Sequence, residues 1–487
     1  MGTLRARTIT SIKWTATQTA FVALSAPIFQ LIQARFLSPN DFAHLSIVMI
    51  FIGLFNVLGN FGISQAIIQR DTLDSQETST LFLFNIFLSC FLGILIYFLS
   101  PLIAHFFNLP DISFLIKLTI FILILDSPSQ LCKAFLQKKL LFKDLSVIAM
   151  VKNISMILFS TIFLIIGLGV LGIIIGNIIS VFISTVLILI TGWKRKIVNC
   201  LCFKIKAIYP FLNFGLFVIG KQVLTHISVH IDEIIVGLFL SPEILGVYYF
   251  GKNMLEKLRT LITASFSSVL YPVLSKLKYD NSKQSLAYNK ISNYIATLAF
   301  PVFVGIALTS HLFIPMFFGQ KWTDSIIVFQ VFSLALIPKV LTANLATSLL
   351  YSVNKPNIVF NIEIVTNLLY FVVLYFTGAQ GLNFVLLLHS LYIVSKTIIL
   401  QYFANKLLGS GFWNYILGLK ITALATAAMV IIILSFQKIF THFSELFQFT
   451  GSVIIGALCF IIIEWLFDRQ ILIEIKSAIY TKKVDLT

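Results

Sequence analysis

The stretch Val453-Ile454-Ile455-Gly456-Ala457-Leu458-Cys459-Phe460-Ile461-Ile462-Ile463 contains no polar side chain apart from its one thiol. Ser180–Ile190 is nearly as apolar, broken only by small hydroxyl side chains. A membrane β-strand alternates apolar and polar positions, and these runs do not. Backbone groups in lipid need internal partners, so with the barrel excluded the runs read as helices. Similar blocks of roughly 20 residues recur along the chain, the length that crosses a hydrocarbon core about 30 Å thick. Composition agrees: 58% of the 487 residues are hydrophobic and 11% are charged, against about 25% charged in soluble domains. The expected fold class is an all-α integral membrane protein of about 14 transmembrane helices.

The first two expected spans are Thr15–Ala34 and Ala43–Ile68, the seventh and eighth are Tyr209–Ile231 and Ile244–Leu274, and the last two are Ile416–Phe436 and Leu446–Phe467. An even number of spans puts both termini on one side. With that side cytoplasmic, roughly 23 Lys and Arg fall in inner segments and about three (Arg35, Lys321, Lys438) outside, the asymmetry of the positive-inside rule. That rule accounts for the net charge of +16 without nucleic acid as a partner. Asp111, Asp232, Glu233, Glu243 and Asp324 fall in expected outer loops. Met1–Trp14 leads into a full span without a small-residue cleavage site, so the first helix is expected to stay as an anchor. Cys90, Cys132, Cys200, Cys202 and Cys459 lack zinc-like spacing. Walker A, Rossmann and H-E-x-x-H patterns are missing. The expectation is a non-enzyme with no cofactor and no metal, driven by an ion gradient, the membrane potential or the substrate gradient.

An internal repeat organises the spans. Phe36-Leu37-Ser38-Pro39 follows span one, and Phe239-Leu240-Ser241-Pro242 follows span seven. Phe106-Phe107-Asn108 and Phe317-Phe318-Gly319 follow spans three and nine. Glycine turns join spans five and six (Gly167, Gly169, Gly172) and spans eleven and twelve (Gly378, Gly381). Three correspondences in one order point to two six-helix lobes related by a parallel pseudo-twofold repeat. The expected divisions are 1–207 with a basic linker, 208–405, and 406–487 holding spans 13 and 14 with a cytoplasmic tail. Such lobes imply alternating access by rocking.

Charges inside spans mark function by default. Lys221 and Arg259 fall mid-span, roughly 12–15 residues or 18–22 Å from the inner helix ends at 1.5 Å per residue. Lys252, Glu256 and Arg259 share a helix face at i, i+4, i+7. That face either lines a cavity and binds phosphate or is a structural set of pairs around Glu256. Asp126 with Lys152, and Glu363 with Lys396, read as structural ion pairs between consecutive helices. Lys339 has no evident partner and is a weaker cavity candidate. His226 and His230, near Asp232 and Glu233, either couple transport to protons or sit at the outer interface. Span one, with Thr15, Thr17, Gln18, Thr19, Gln30 and Gln33, is polar enough to face water.

Ala34–Ala43 and Gly59–Arg70 resemble the first two spans of Wzx-type polysaccharide flippases. Ile231–Gly237 through Leu245-Gly246-Val247-Tyr248 resembles their passage from span seven to eight, and Tyr271–Leu277 their end of span eight. Ala43 departs from the Gly often found there; Gly246 keeps it in the second lobe. The resemblance covers roughly residues 8–400. It implies the multidrug/oligosaccharidyl-lipid/polysaccharide exporter superfamily, a bacterial inner-membrane location, and flipping of undecaprenyl-pyrophosphate-linked oligosaccharide for O-antigen, capsule or exopolysaccharide. Implied partners are that substrate, membrane lipids, and polysaccharide polymerase and chain-length proteins. The implied cavity takes in span one, Lys221 and Arg259, with Lys252 and Arg35 on the exit path; Glu256, Asp232 and His226 are coupling candidates. Rival readings are a drug or cation antiporter, whose cavity should carry acids, a lipid II flippase, and a membrane glycan polymerase or ligase, which would need catalytic residues in the outer loops.

Overall fold

The computed structural model describes residues 2–60, 67, 74–195, 209–470 and 473–474. Every long element is a helix: α1 (Gly2–Phe36), α2 (Pro39–Asn60), α3 (Ser75–Phe106), α4 (Ile112–Lys138), α5 (Phe142–Ile165) and α6 (Gly169–Lys194). After them come α7 (Tyr209–Phe239), α8 (Pro242–Lys276), α9 (Asn281–Phe313), α10 (Ile326–Ser352), α11 (Pro356–Thr377) and α12 (Leu382–Leu408). The short α13 (Phe412–Gly418) leads into α14 (Lys420–Ile439) and α15 (Glu445–Phe467). Among the described residues, 13 helical segments are long and apolar enough to cross a membrane. The expected span Ile244–Leu274 is not one of them. It belongs to α8, where Lys252, Glu256, Lys257 and Arg259 crowd about two turns. Large apolar side chains such as Phe98, Phe376 and Leu466 are 70–77% exposed, the pattern of a surface that meets lipid rather than water.

The Ser-Pro pairs of the repeat are helix starts. Ser38 precedes α2 and Pro39 opens it, a position where proline's missing N–H is not needed. Ser38 N–H donates to Asp41 Oδ2 at 2.8 Å while Asp41 N–H donates to Ser38 Oγ at 3.2 Å, a reciprocal cap. Ser241 and Pro242 open α8 the same way, Ser241 Oγ accepting from Ile244 N–H at 3.5 Å.

The chain forms two compact units, Met1–Tyr249 and Phe250–Thr487. In the first, α4 packs on α3 and α6, α6 on α5, α5 on α1, and α2 lies along α4 and α7. Gly176 lets α6 approach α5 closely: a Cβ there would stand 2.3 Å from Ser160 Oγ, the small-residue contact common between membrane helices. In the second, α10 packs on α9 and α12, and α12 on α11, the order α3-α4-α6-α5 repeated as α9-α10-α12-α11. The turns recur as well. Left-handed backbone occurs at Asn108, Leu140, Gly167 and Gly169 in the first unit and at Gly319, Asn354, Gly381 and Gly409 in the second. Helices α14 and α15 pack on α9 around Ala425, Met429, Ile433 and Phe460, joined by Val304 and Leu308. The basic linker from position 196 onward, Cys200, Cys202, Gly62–Ala66, Ile68–Arg70 and the end of the tail lie outside the described residues.

Candidate functional site

The charged face of α8 is positioned by an aromatic cluster one turn before it. Phe250 lies 4.2 Å from the buried Trp322 and 5.5 Å from Phe329, ring centre to ring centre. Gly251 brings the α8 backbone against α10; a Cβ there would be 2.6 Å from Val328 Cγ1. From that anchor, Glu256 reaches two cations. Arg259, one turn on, donates from Nε to Glu256 Oε2 at 2.6 Å. Lys339 on α10, next to Pro338, donates from Nζ to Glu256 Oε1 at 2.5 Å. The three side chains are 19–30% exposed, neither sealed nor in open water. One carboxylate thus serves two cations, and the cluster keeps one excess positive charge. The sequence pointed to Glu256 and Arg259 but left Lys339 without a partner; that contact joins helices 83 residues apart in sequence, beyond any periodicity.

The expected Glu363–Lys396 contact takes another form. Lys396 Nζ donates to Tyr392 Oη at 3.3 Å, one turn back on α12, and lies over the Tyr392 ring. Tyr392 Oη in turn donates to Asn367 Oδ1 at 2.5 Å. Glu363 and Lys339 act on Lys396 through space only.

The acids expected in the outer loop after span seven are inside helix α7, which continues to Phe239. Asp232 and Glu233 are 1% and 3% exposed. They are tolerated because partners satisfy them. Tyr248 Oη donates to Asp232 Oδ2 at 2.5 Å. Ser46 Oγ of α2 donates to Glu233 Oε2 at 3.3 Å, and His230 Nδ1 lies 3.1 Å from the same oxygen. His226 Nε2 donates to the Ile50 carbonyl at 2.8 Å, its ring seated against Gly53. Asp232 and His226, the coupling candidates of this segment, therefore hold α7 to its neighbours in this conformation. Lys221 is exposed on α7, and among the described residues its ammonium group has no hydrogen bond or ion pair. Arg35 is exposed near the end of α1; Lys252 is buried.

Asp126 pairs with Lys133, not with the expected Lys152. Lys133 is two turns along the same helix α4 and donates to Asp126 Oδ1 at 2.7 Å. Lys152 on α5 acts on the same carboxylate through space. All three line a cavity of about 430 Å³ that opens among α2, α4, α5 and α6, with Asn56, Gln130 and Asn177 on its wall. Sequence reading matched depth between neighbouring helices and missed that a long lysine side chain folds back along its own helix.

A match to the polysaccharide biosynthesis protein family covers residues 32–327. The chain is 26% identical over 483 residues to an uncharacterized membrane protein in the cps region of Klebsiella pneumoniae, covering 97% of this chain and 98% of that one. It is 25% identical to the lipopolysaccharide biosynthesis protein WzxC of Escherichia coli (strain K12), covering 85% of each. The fold resembles that of the lipid II flippase MurJ in an inward closed conformation, with a TM-score of 0.75 and 16% identity over 95% of this chain and 100% of that one. The chain belongs to the polysaccharide biosynthesis protein family.

Proposed function

We propose that this chain is a flippase that carries undecaprenyl-pyrophosphate-linked oligosaccharide from the inner to the outer leaflet of a bacterial cytoplasmic membrane by alternating access. The observation that carries the reading is the Glu256, Arg259 and Lys339 cluster, with two cations on one carboxylate. An excess cation among membrane helices is disfavoured unless it faces water or meets an anion. Arginine offers a planar fork to phosphate oxygens and lysine a point charge. A pyrophosphate would complete the cluster and release Glu256 to take a proton or cation when the cargo leaves. A cation antiporter would want the opposite balance.

Both termini facing the cytoplasm, and division into two six-helix lobes, belong to the same proposal. The recurring turns and the repeated packing order of α3–α6 and α9–α12 support the lobes. Lys221 is a second cation candidate. The direct experiment deletes the gene and reads surface glycan and the leaflet in which lipid-linked oligosaccharide accumulates. Accumulation on the inner face, cleared by the wild-type chain and not by Arg259→Ala or Lys339→Ala at equal protein levels, is expected. Normal surface glycan in the deletion strain contradicts the reading.

A further inference from the structure

The cavity in the first unit has no part in the account above. Its size, about 430 Å³, lies in the range of small-molecule sites. Its wall is polar, with two ammonium groups to one carboxylate. Lys133 neutralises Asp126. Lys152 then remains, and among the described residues its ammonium group has no hydrogen bond or ion pair. Gln130 turns its amide nitrogen toward Asp126 Oδ2 at 3.4 Å, while its carbonyl oxygen is buried with no hydrogen-bond partner among the described residues. Asn56 and Asn177 face the same space from α2 and α6.

Each of these features asks for something different. A cation at membrane depth asks for an anion. Asn56 and Asn177 add two carboxamides on the wall around that cation. A carboxamide offers a donor and an acceptor together, which matches a hydroxyl group, itself both. A bare inorganic anion would meet Lys152 and leave the Asn56 and Asn177 carbonyl oxygens without a donor. A neutral sugar would meet the amides and leave Lys152 alone. A sugar bearing a carboxylate meets both.

We propose that this cavity is a subsite for an acidic sugar, with the carboxylate on Lys152 and ring hydroxyls on Asn56 and Asn177. The inference rests on the transport reading and adds one property of the cargo, a carboxylate on a sugar ring. Asp126 and Lys133 form the fixed pair that holds the α4 wall, and Lys152 is the free pole.

The test is calorimetric titration of the purified full chain in lipid nanodiscs with D-glucuronate, D-glucose and acetate. Glucuronate should bind, and glucose and acetate should each bind about tenfold or more weakly, the loss of one charge-assisted or several neutral hydrogen bonds. Lys152→Gln should bring glucuronate to the affinity of glucose, and Lys152→Arg should retain it. Asn177→Leu, on a different helix, should weaken glucuronate and glucose together, so the inference stays testable if Lys152→Gln does not fold. Acetate binding as tightly as glucuronate would mean a small-anion site and overturn the sugar assignment. No glucuronate binding, or binding unchanged in Lys152→Gln, would overturn the subsite. Complementation of the deletion strain by the wild-type chain with no glucuronate binding overturns the subsite alone and leaves the flippase reading standing, whereas failure of the wild-type chain to complement removes that reading whatever the titration shows.

Discussion

Gly246→Ala is a one-atom test of how the two Ser-Pro hairpins fit together in the first unit. Gly246 lies in the first turn and a half of α8, and Pro39 is the first residue of α2. A Cβ on Gly246 would stand 1.7 Å from the Pro39 carbonyl oxygen and 2.5 Å from its carbonyl carbon. Real Cβ contacts essentially never fall under 3.0 Å, so the two backbones have to part by at least about 1.3 Å (3.0 − 1.7). No flexible side chain can yield, because both clashing atoms are backbone. The surroundings are also tight: Leu37, Phe42, Ala43, Leu245 and Tyr248 are at most 2% exposed. Parting the helices would strain the bond from Tyr248 to Asp232. Overpacking of this kind costs about 1–3 kcal/mol, which for a chain of this length lowers an unfolding midpoint by about 1–3 °C. The assay is thermal unfolding of the detergent-purified chain, followed by size exclusion. Gly305→Ala in α9 is the control, because a Cβ there meets nothing within 4 Å and replacing a helix-interior glycine should be neutral or gain up to about 1 kcal/mol. Equal midpoints for Gly246→Ala and the wild type would refute the close approach and with it the register of the hairpins.

Glu256→Gln should destabilise by about 1–3 kcal/mol, less than the loss of a sealed ion pair because the cluster is partly exposed; Glu256→Gln with Lys339→Met should recover part of it, and a double variant less stable than the single would contradict the pairing. A double-mutant cycle between Asp126 and Lys133 should give a coupling of about 0.5–3 kcal/mol, with a smaller one between Asp126 and Lys152; the reverse order would restore the pair expected from depth alone. Gly176→Leu should block the α5–α6 contact, since even a Cβ there would meet Ser160 backbone nitrogen at 2.6 Å, and normal folding of that variant would contradict the packing. Cysteines at positions 108 and 320 should react with an impermeant maleimide from outside, while one at 283 should not; the opposite pattern would invert the topology.

The fold class was legible because lipid imposes one demand on every residue of a span, so runs such as Val453–Ile463 reveal it without tertiary information. Recurring local features were legible where they coincide with chemistry the backbone requires: a Ser-Pro helix start at Ser38 and Ser241, and left-handed turns at Gly167 and Gly381. Asn354 mirrors Leu140, two residues with nothing in common but a left-handed backbone, so that correspondence was invisible. The candidate site was half legible. Glu256 and Arg259 are neighbours on one helix face, and periodicity finds such pairs. Lys339 comes from another helix, and rotation about a helix axis is set by packing that a single sequence does not state. The same ignorance gave Asp126 the wrong lysine. Asp232 and Glu233 read as loop residues because acids are costly in spans; Tyr248 and Ser46, which make them affordable, are local only in three dimensions.

The central claim is that the excess positive charge around Glu256 holds the anionic head of a lipid-linked glycan. Reconstituted vesicles carrying a pyrophosphate-linked oligosaccharide in one leaflet, with its appearance in the other leaflet timed, test it most directly. The account predicts flipping by the wild-type chain, partial flipping by Arg259→Lys, and none by Arg259→Ala in correctly folded protein. Flipping by Arg259→Ala at the wild-type rate would contradict it.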